Sequence, residues 1–350
     1  MKHTALRIIE GPYLRDILDQ PRALEATLES FRSNTTLFGQ ISKFRQQAHQ
    51  RVVLTGMGSS LHALYPLEMM LTAHGENVTR VDTSELIYSM PSLLAGGTII
   101  VAVSQSGQSA EMVRLLEQNA RRATVISITN TADSLLATQA EFMMLTQCGE
   151  EFSVSAKTYV GTLAALEILA AAWCGEAADA VYAELQAGPA LVEGYLAQWR
   201  KHVQSLAVEM ENIRQLFFVG RGRSLASSGT GALVTKESTR IAAEAMSSAA
   251  FRHGPIEMAG PETMVLVLEG EAVFRALHSK LVRDIHNSGG RAELAGPAAK
   301  IPALRIPDKL TRLLPIMEFL PIQMLTLALA ASAGFEAGRF RHATKITAEE

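Results

Sequence analysis

Short runs of apolar, often β-branched residues recur along this chain, and each ends in a turn of glycine and small polar residues. Arg51 to Ser60 reads RVVLTGMGSS and Gln215 to Ser224 reads QLFFVGRGRS, so Gly56 and Gly220 stand 164 positions apart. GGTIIVAVSQSGQS in the first half answers PETMVLVLEGEA in the second, with Thr98 and Thr263 separated by 165. One offset shared by two separate features is the mark of an internal duplication. Each half continues in the same rhythm. AEMVRLLEQNARR and then ATVISITN follow the first loop; EAVFRALHSKLVRDIHNSG and then RAELAG follow the second. Uninterrupted apolar strands alternating with amphipathic helices predict an α/β chain: two tandem, doubly wound parallel sheets, each in a three-layer αβα arrangement. The expected organisation is a helical arm over 1–33, a first sheet domain over 34–175, an alanine-rich helical connection over 176–204, a second sheet domain over 205–337 and a polar tail over 338–350.

The bulk numbers agree with two domains and remove several functions. A chain of 350 residues with 48% hydrophobic and 19% charged positions can bury two cores. A formal net charge of -3 without a long basic run argues against nucleic acid as a partner. Cys148 and Cys174 are the only cysteines, too few for a disulfide framework, and no Cys/His cluster suggests a metal. The opening MKHTALRIIEGPYLRDILDQP mixes charges throughout and lacks the apolar core of a signal peptide. FLPIQMLTLALAASAGF contains Pro321 and Gln323 and reads as a buried helix rather than a membrane span. The expectation is a cytoplasmic protein with no membrane partner.

In a doubly wound sheet ligands bind beyond the carboxyl ends of the strands, which directs attention to GMGSS and SQSGQS. Hydroxyls, unpaired backbone N–H groups and a helix N-terminus suit an anion such as phosphate, and Ser104, Gln105, Ser106 and Ser109 can all donate to one phosphate. The competing reading makes these serines helix caps. GMGSSL and GRGRSL both lack the third glycine of a dinucleotide fingerprint, and Asp82 is a lone acidic residue at ribose distance, so no nucleotide or other cofactor is expected. A further stretch, TKESTRIAAEAMSSAAFRHGP, reads as an alanine-rich helix followed by a loop that presents His253. On such a helix Glu237 and Glu244, seven residues apart, share one face. Two carboxylates and an imidazole there are either a proton-transfer site or the wet side of the helix.

GMGSS, SQSGQSAE, KES…AEA…HGP and the closing HATKITAEE resemble, in that order, the paired SIS (sugar isomerase) domains. Within that family they are most similar to the isomerase half of the glucosamine-6-phosphate synthases (glutamine–fructose-6-phosphate aminotransferases). The resemblance implies that the phosphate of a sugar phosphate sits on Ser104, Gln105, Ser106 and Ser109, and that Gly58, Ser59, Ser60 and Ser155 contact the sugar or its phosphate. It implies that Glu237 moves a proton between C1 and C2. His253 would assist ring opening from a neighbouring subunit, which makes the active unit a homodimer with a shared site. Lys345 would close over the site and form a Schiff base with the open-chain ketose. These residue types suit the chemistry. A shielded carboxylate can act as base at a carbon acid, imidazole shuttles protons near neutrality, and a lysine amine must be neutral to attack a carbonyl.

Two departures qualify the resemblance. Met1 is followed by Lys2 where the synthases begin with a cysteine nucleophile, so no glutaminase activity is expected of this chain. Val234 stands three residues before Glu237, where the synthases have a lysine, and Lys236 points another way. Glu244 reads better as a structural carboxylate than as a second base. The function expected is amino-sugar-phosphate isomerisation with deamination, giving fructose 6-phosphate and ammonia through an enediol or enediolamine. The alternatives are a deglycase of fructosamine (Amadori) 6-phosphates and a non-catalytic phosphosugar sensor, for which the Glu/His/Lys set would be surplus.

Overall fold

The computed structural model describes residues 6–47, 49–342, 344 and 345. The chain forms two compact units. One contains residues 20–151, 155–189 and the tail from 342; the other contains the residues up to 19, 152–154 and 190–341. The arm expected over 1–33 supplies the helix Pro12–Leu18 to one unit and Gln20–Ser33 to the other.

The first unit is built on five parallel strands: β1 (Arg51–Gly56), β2 (Val78–Asp82), β3 (Thr98–Val103), β4 (Thr124–Thr129) and β5 (Phe142–Leu145). They lie in the order β2-β1-β3-β4-β5, with every pair parallel. All six residues of β3 are buried, as its unbroken apolar run TIIVAV requires of a strand covered on both faces. Val53, Ile100 and Ala102 pack on one face against Leu86, Leu115 and Leu116. The alternate residues Val52, Leu54, Ile99 and Val101 are equally buried and point to the other face. The helix Lys157–Cys174, buried along nearly its whole length, packs in this unit against Gln20–Ser33, Leu37–Gln46 and Tyr65–Ala73.

The second unit repeats the design with four parallel strands, β6 (Gln215–Gly220), β7 (Ala242–Ser247), β8 (Thr263–Leu268) and β9 (Arg291–Ala295), ordered β7-β6-β8-β9. Phe217, Val219, Val265 and Val267 pack against Phe251, Leu281 and Ile285. The helix Ser224–Thr239 packs against β6 and against the helix Leu314–Ala333. Small residues make this approach close: a Cβ on Gly231 would lie 2.9 Å from Ile322 Cδ1. The helix Leu314–Ala333 is long and apolar enough to cross a membrane by length and composition, yet it is buried inside the protein. The apolar stretch read from the sequence is therefore a core helix that starts five residues earlier than Phe319.

One expectation fails. TKESTRIAAEAMSSAAFRHGP is not one helix. The helix ends at Thr239, Arg240 takes a left-handed conformation (φ 60), and Ala242–Ser247 form the edge strand β7, followed by the short helix Ser248–Arg252. Glu237 is on the helix and Glu244 on the strand opposite Phe217, so they share no helical face. Alanine favours helix locally, but a parallel edge position beside β6 is available and pairing there satisfies the backbone. Glu244 points to solvent.

Candidate active site

In the five-stranded unit, a pocket of about 130 Å³ opens at the carboxyl ends of β1 and β3 and is lined by Ser60, Ser104, Gln105, Ser106, Ser109 and Lys345, with Met57 and Met112 beside them. Roughly 10–15 Å³ of such space holds one water, so a phosphate with part of its carbon chain fits. The loop after β3 is tied in place from below. The Gln105 carbonyl accepts from Asn130 N–H (3.0 Å), Thr129 Oγ1 (3.2 Å) and Thr131 Oγ1 (3.4 Å). Gly107 turns with φ 62, and a Cβ there would lie 2.2 Å from Ser134 Oγ, so only glycine lets the loop lie this close to its neighbour.

The two readings of the serines turn out to be compatible. Ser109 Oγ accepts from Met112 N–H at 3.4 Å as the cap of the helix Ala110–Asn119. Ser104 Oγ accepts from Gly107 N–H (3.1 Å) and Ser106 Oγ from Gln108 N–H (3.3 Å). A hydroxyl that accepts still has its own proton to donate. The backbone thus orients three hydroxyls and leaves their O–H groups available to an anion at a helix N-terminus, where the dipole also favours negative charge.

The other residues expected at the sugar fall outside this lining. Gly58 (φ 52) precedes the short helix Ser59–Ala63, and Ser59 is buried with a hydroxyl that has no hydrogen-bond partner among the described residues. Ser155 is half-buried in the turn before Lys157–Cys174. Asp82 caps the helix Thr83–Tyr88 by accepting from Glu85 N–H at 2.8 Å, so its carboxylate has a structural use. Among the described residues, no group of three or more His, Cys, Asp or Glu is placed to hold a metal.

Glu151 is the residue that sequence reasoning missed. It lies in GEEFSVSAKT, and its fully buried carboxylate is 2.6 Å from Lys345 Nζ. A glutamate beside Glu150 in a polar loop carries no local signal of burial, and its partner is 194 residues away.

Glu237 and His253 belong to the four-stranded unit. Glu237 is half-buried on the last turn of Ser224–Thr239, Lys236 beside it is exposed, and Val234 is fully buried. His253 is exposed on the turn that closes Ser248–Arg252, and the next residue, Gly254, has φ 128, a value that selects glycine.

At the carboxyl ends of β6 and β8 in this unit, charged side chains are bonded to the unit's own backbone and side chains. Glu269, almost fully buried, accepts from Ala298 N–H (2.7 Å) and pairs with Arg275 (3.4 Å). Glu271 accepts from Arg223 N–H at 3.3 Å. His278 is buried between the Glu269 carbonyl (3.0 Å) and Ser248 Oγ (3.2 Å), to which Arg221 Nε also donates (2.6 Å). Burial, and then the Arg221 charge, push the His278 imidazole below its ordinary range. Glu318 accepts from Ser224 Oγ at 2.8 Å, and burial pushes its carboxyl up to about 8.

Residues 43–172, which carry the serines of this pocket, match the SIS domain family. Glutamine–fructose-6-phosphate aminotransferase from Pyrococcus horikoshii is 26% identical over 351 residues, an alignment covering 96% of this chain and 57% of that protein. The chain therefore spans little more than half the length of the curated relatives it matches. Two solved structures share the fold over nearly the whole chain. The C-terminal domain of glucosamine-fructose-6-phosphate aminotransferase from Francisella tularensis superposes with a TM-score of 0.82 at 20% identity, covering 94% of this chain and 98% of that one. Glucosamine-6-phosphate deaminase from Thermotoga maritima superposes with a TM-score of 0.79 at 19% identity, covering 97% and 100%. The chain shares the α/β fold of these structures, with the SIS domain matched over 43–172.

Proposed function

We propose that the protein is an amino-sugar-phosphate isomerase that deaminates its substrate, converting a 2-amino-2-deoxyhexose 6-phosphate such as glucosamine 6-phosphate to fructose 6-phosphate and ammonia. The pocket carries this reading. Its oriented hydroxyls and one ammonium group suit a phosphate, and they need no nucleotide. In this reading His253 assists opening of the sugar ring and Glu237 removes the proton from C2. Returning that proton to C1 turns the aldehyde carbon into a hydroxymethyl group and leaves an imine at C2. Water then hydrolyses the imine, which releases ammonia and gives the 2-ketose. A carboxylate half-shielded from water, as Glu237 is, suits proton transfer at carbon. The protein would act as a cytoplasmic homodimer on a small molecule, with His253 supplied by the second subunit.

Val234 favours a second reading. An apolar residue that is 0% exposed, where the synthases have a lysine, leaves no cation there to handle a free amine or hydroxyl. Fructosamine (Amadori) 6-phosphates, whose nitrogen is that of an attached amino acid rather than a free amine, then become the substrate class, through the same enediol-type chemistry. Incubation with glucosamine 6-phosphate, following ammonia and fructose 6-phosphate, separates the two. Equal release of both products, lowered at least 100-fold in Glu237→Gln, supports the deaminase. Turnover of fructosamine 6-phosphates alone transfers the assignment to the deglycase, and turnover of neither sinks both.

A further inference from the structure

Both oxygens of the buried Glu151 carboxylate are used. Oε1 accepts from Ala156 N–H (2.9 Å) and Thr158 N–H (3.0 Å), and Oε2 accepts from Thr158 Oγ1 (2.8 Å) and Lys345 Nζ (2.6 Å). The three bonds to residues 156 and 158 are local and shape the turn that begins the helix Lys157–Cys174. A neutral glutamine would serve that turn almost as well, since its oxygen accepts the two N–H bonds and the Thr158 hydroxyl can reverse its role. Burying a full negative charge is unfavourable unless it is paired and hydrogen-bonded. What the charge adds over an amide is the bond to Lys345, and Lys345 also lines the serine pocket, where it is the one cation among the described lining residues.

We propose that Glu151 is a positioning residue that works through Lys345, latching the C-terminal ammonium at the rim of the anion pocket so that it meets the negative charge of a bound phosphate ester. The proposal rests on the sugar-phosphate reading of that pocket. Hydroxyl and amide donors solvate a phosphate but cannot neutralise it, and a bound dianion needs a nearby cation in a site shielded from water. A lysine on an unrestrained tail would lose side-chain and backbone entropy on each binding event. With the carboxylate already holding the ammonium, that ordering is complete before the ligand arrives.

Glu151→Gln tests the latch because it keeps the shape and the two backbone bonds while turning the lysine-facing atom from an acceptor into a donor. The first readout is the rate of tryptic cleavage after Lys345 in the ligand-free protein. The second is the Kd for inorganic phosphate and for glucosamine 6-phosphate in the native protein, Glu151→Gln, Lys345→Met and the double variant. Cleavage should be at least fivefold faster in Glu151→Gln. Each single variant should bind phosphate about tenfold more weakly, and the double variant no more weakly than Lys345→Met. Unchanged cleavage, unchanged Kd in Glu151→Gln, or losses that multiply in the double variant would overturn the proposal, since a residue that only shaped the turn would act independently of Lys345. If Glu151→Gln fails to fold, Lys345→Met leaves the three local bonds intact, and undiminished phosphate binding by that variant overturns the proposal on its own. Faster cleavage in Glu151→Gln, together with a native protein that binds neither probe, overturns the sugar-phosphate reading and the ligand half of the proposal while upholding the latch.

Discussion

The crevices of the two units begin from the same strand order and differ in what fills them. Adding the offset of 165 to Ser104 and Ser106 reaches Glu269 and Glu271, and adding 164 to Ser60 reaches Ser224. In the five-stranded unit these positions are hydroxyls that face an open pocket. In the four-stranded unit, the carboxylates of Glu269 and Glu271 accept the N–H groups of Ala298 and Arg223, and Ser224 donates to the buried Glu318. The second unit thus supplies its own anions where the first leaves room for one from outside. An element that brings its own carboxylates gains internal hydrogen bonds and gives up the site. The duplicated frame is one solution to folding, and the few residues at the strand ends decide whether it binds anything.

Ser106→Glu would break the difference most directly by giving the open pocket the carboxylate its counterpart has. Like-charge juxtaposition costs several kcal/mol, so isothermal titration should show the affinity for inorganic phosphate reduced by about 100-fold or more, and binding within tenfold of the native value would refute the anion site. Glu318→Gln sharpens the other side. The folded carboxyl keeps its proton to about pH 8, whereas the unfolded one releases it near 4.5. Between these values the folded state binds more protons, so its stability falls as pH rises and levels off above about 8. At about 1.4 kcal/mol per unit, the native protein should lose about 2 kcal/mol from this group between pH 6 and 7.5. Denaturant titrations of Glu318→Gln should show a correspondingly flatter pH dependence. Smaller still is the effect of alanine at the two left-handed glycines Gly107 (φ 62) and Gly270 (φ 69). Each substitution should cost about 1–2 kcal/mol of stability in the same titrations, but only Gly107→Ala should also weaken phosphate binding, because only that loop carries the pocket.

Much of the frame was legible because buried parallel strands are uninterrupted apolar runs, and TIIVAV and TMVLVL became β3 and β8 as read. The serine loop was legible for a related reason. Several hydroxyls and a glycine directly after such a run have few uses other than capping or ligand binding, and here three of the hydroxyls accept backbone N–H bonds. Ala242–Ser247 was misread because an edge strand of AAEAMS has no β-branched residue and no clean alternation, so local propensity pointed to helix. The pairing of Glu151 and the inward-turned Glu269 were invisible for a different reason. Charged residues in loops ordinarily face water, and nothing local marks the few that turn inward.

By itself the sequence determined the class of fold, the duplication, the strands that form each core and the loop where an anion can sit. These follow from periodicity and from the few conformations that glycine and capping residues allow. Only the tertiary structure decided that Glu244 leaves the helix of Glu237, that Lys345 is held by Glu151, and that the carboxylates of Glu269 and Glu271 bond to backbone N–H groups of their own unit. Each of these outcomes depends on partners far apart in the chain or on which of two locally acceptable backbones finds a neighbour. Long-range pairing and burial set such choices, and no short stretch of sequence encodes them.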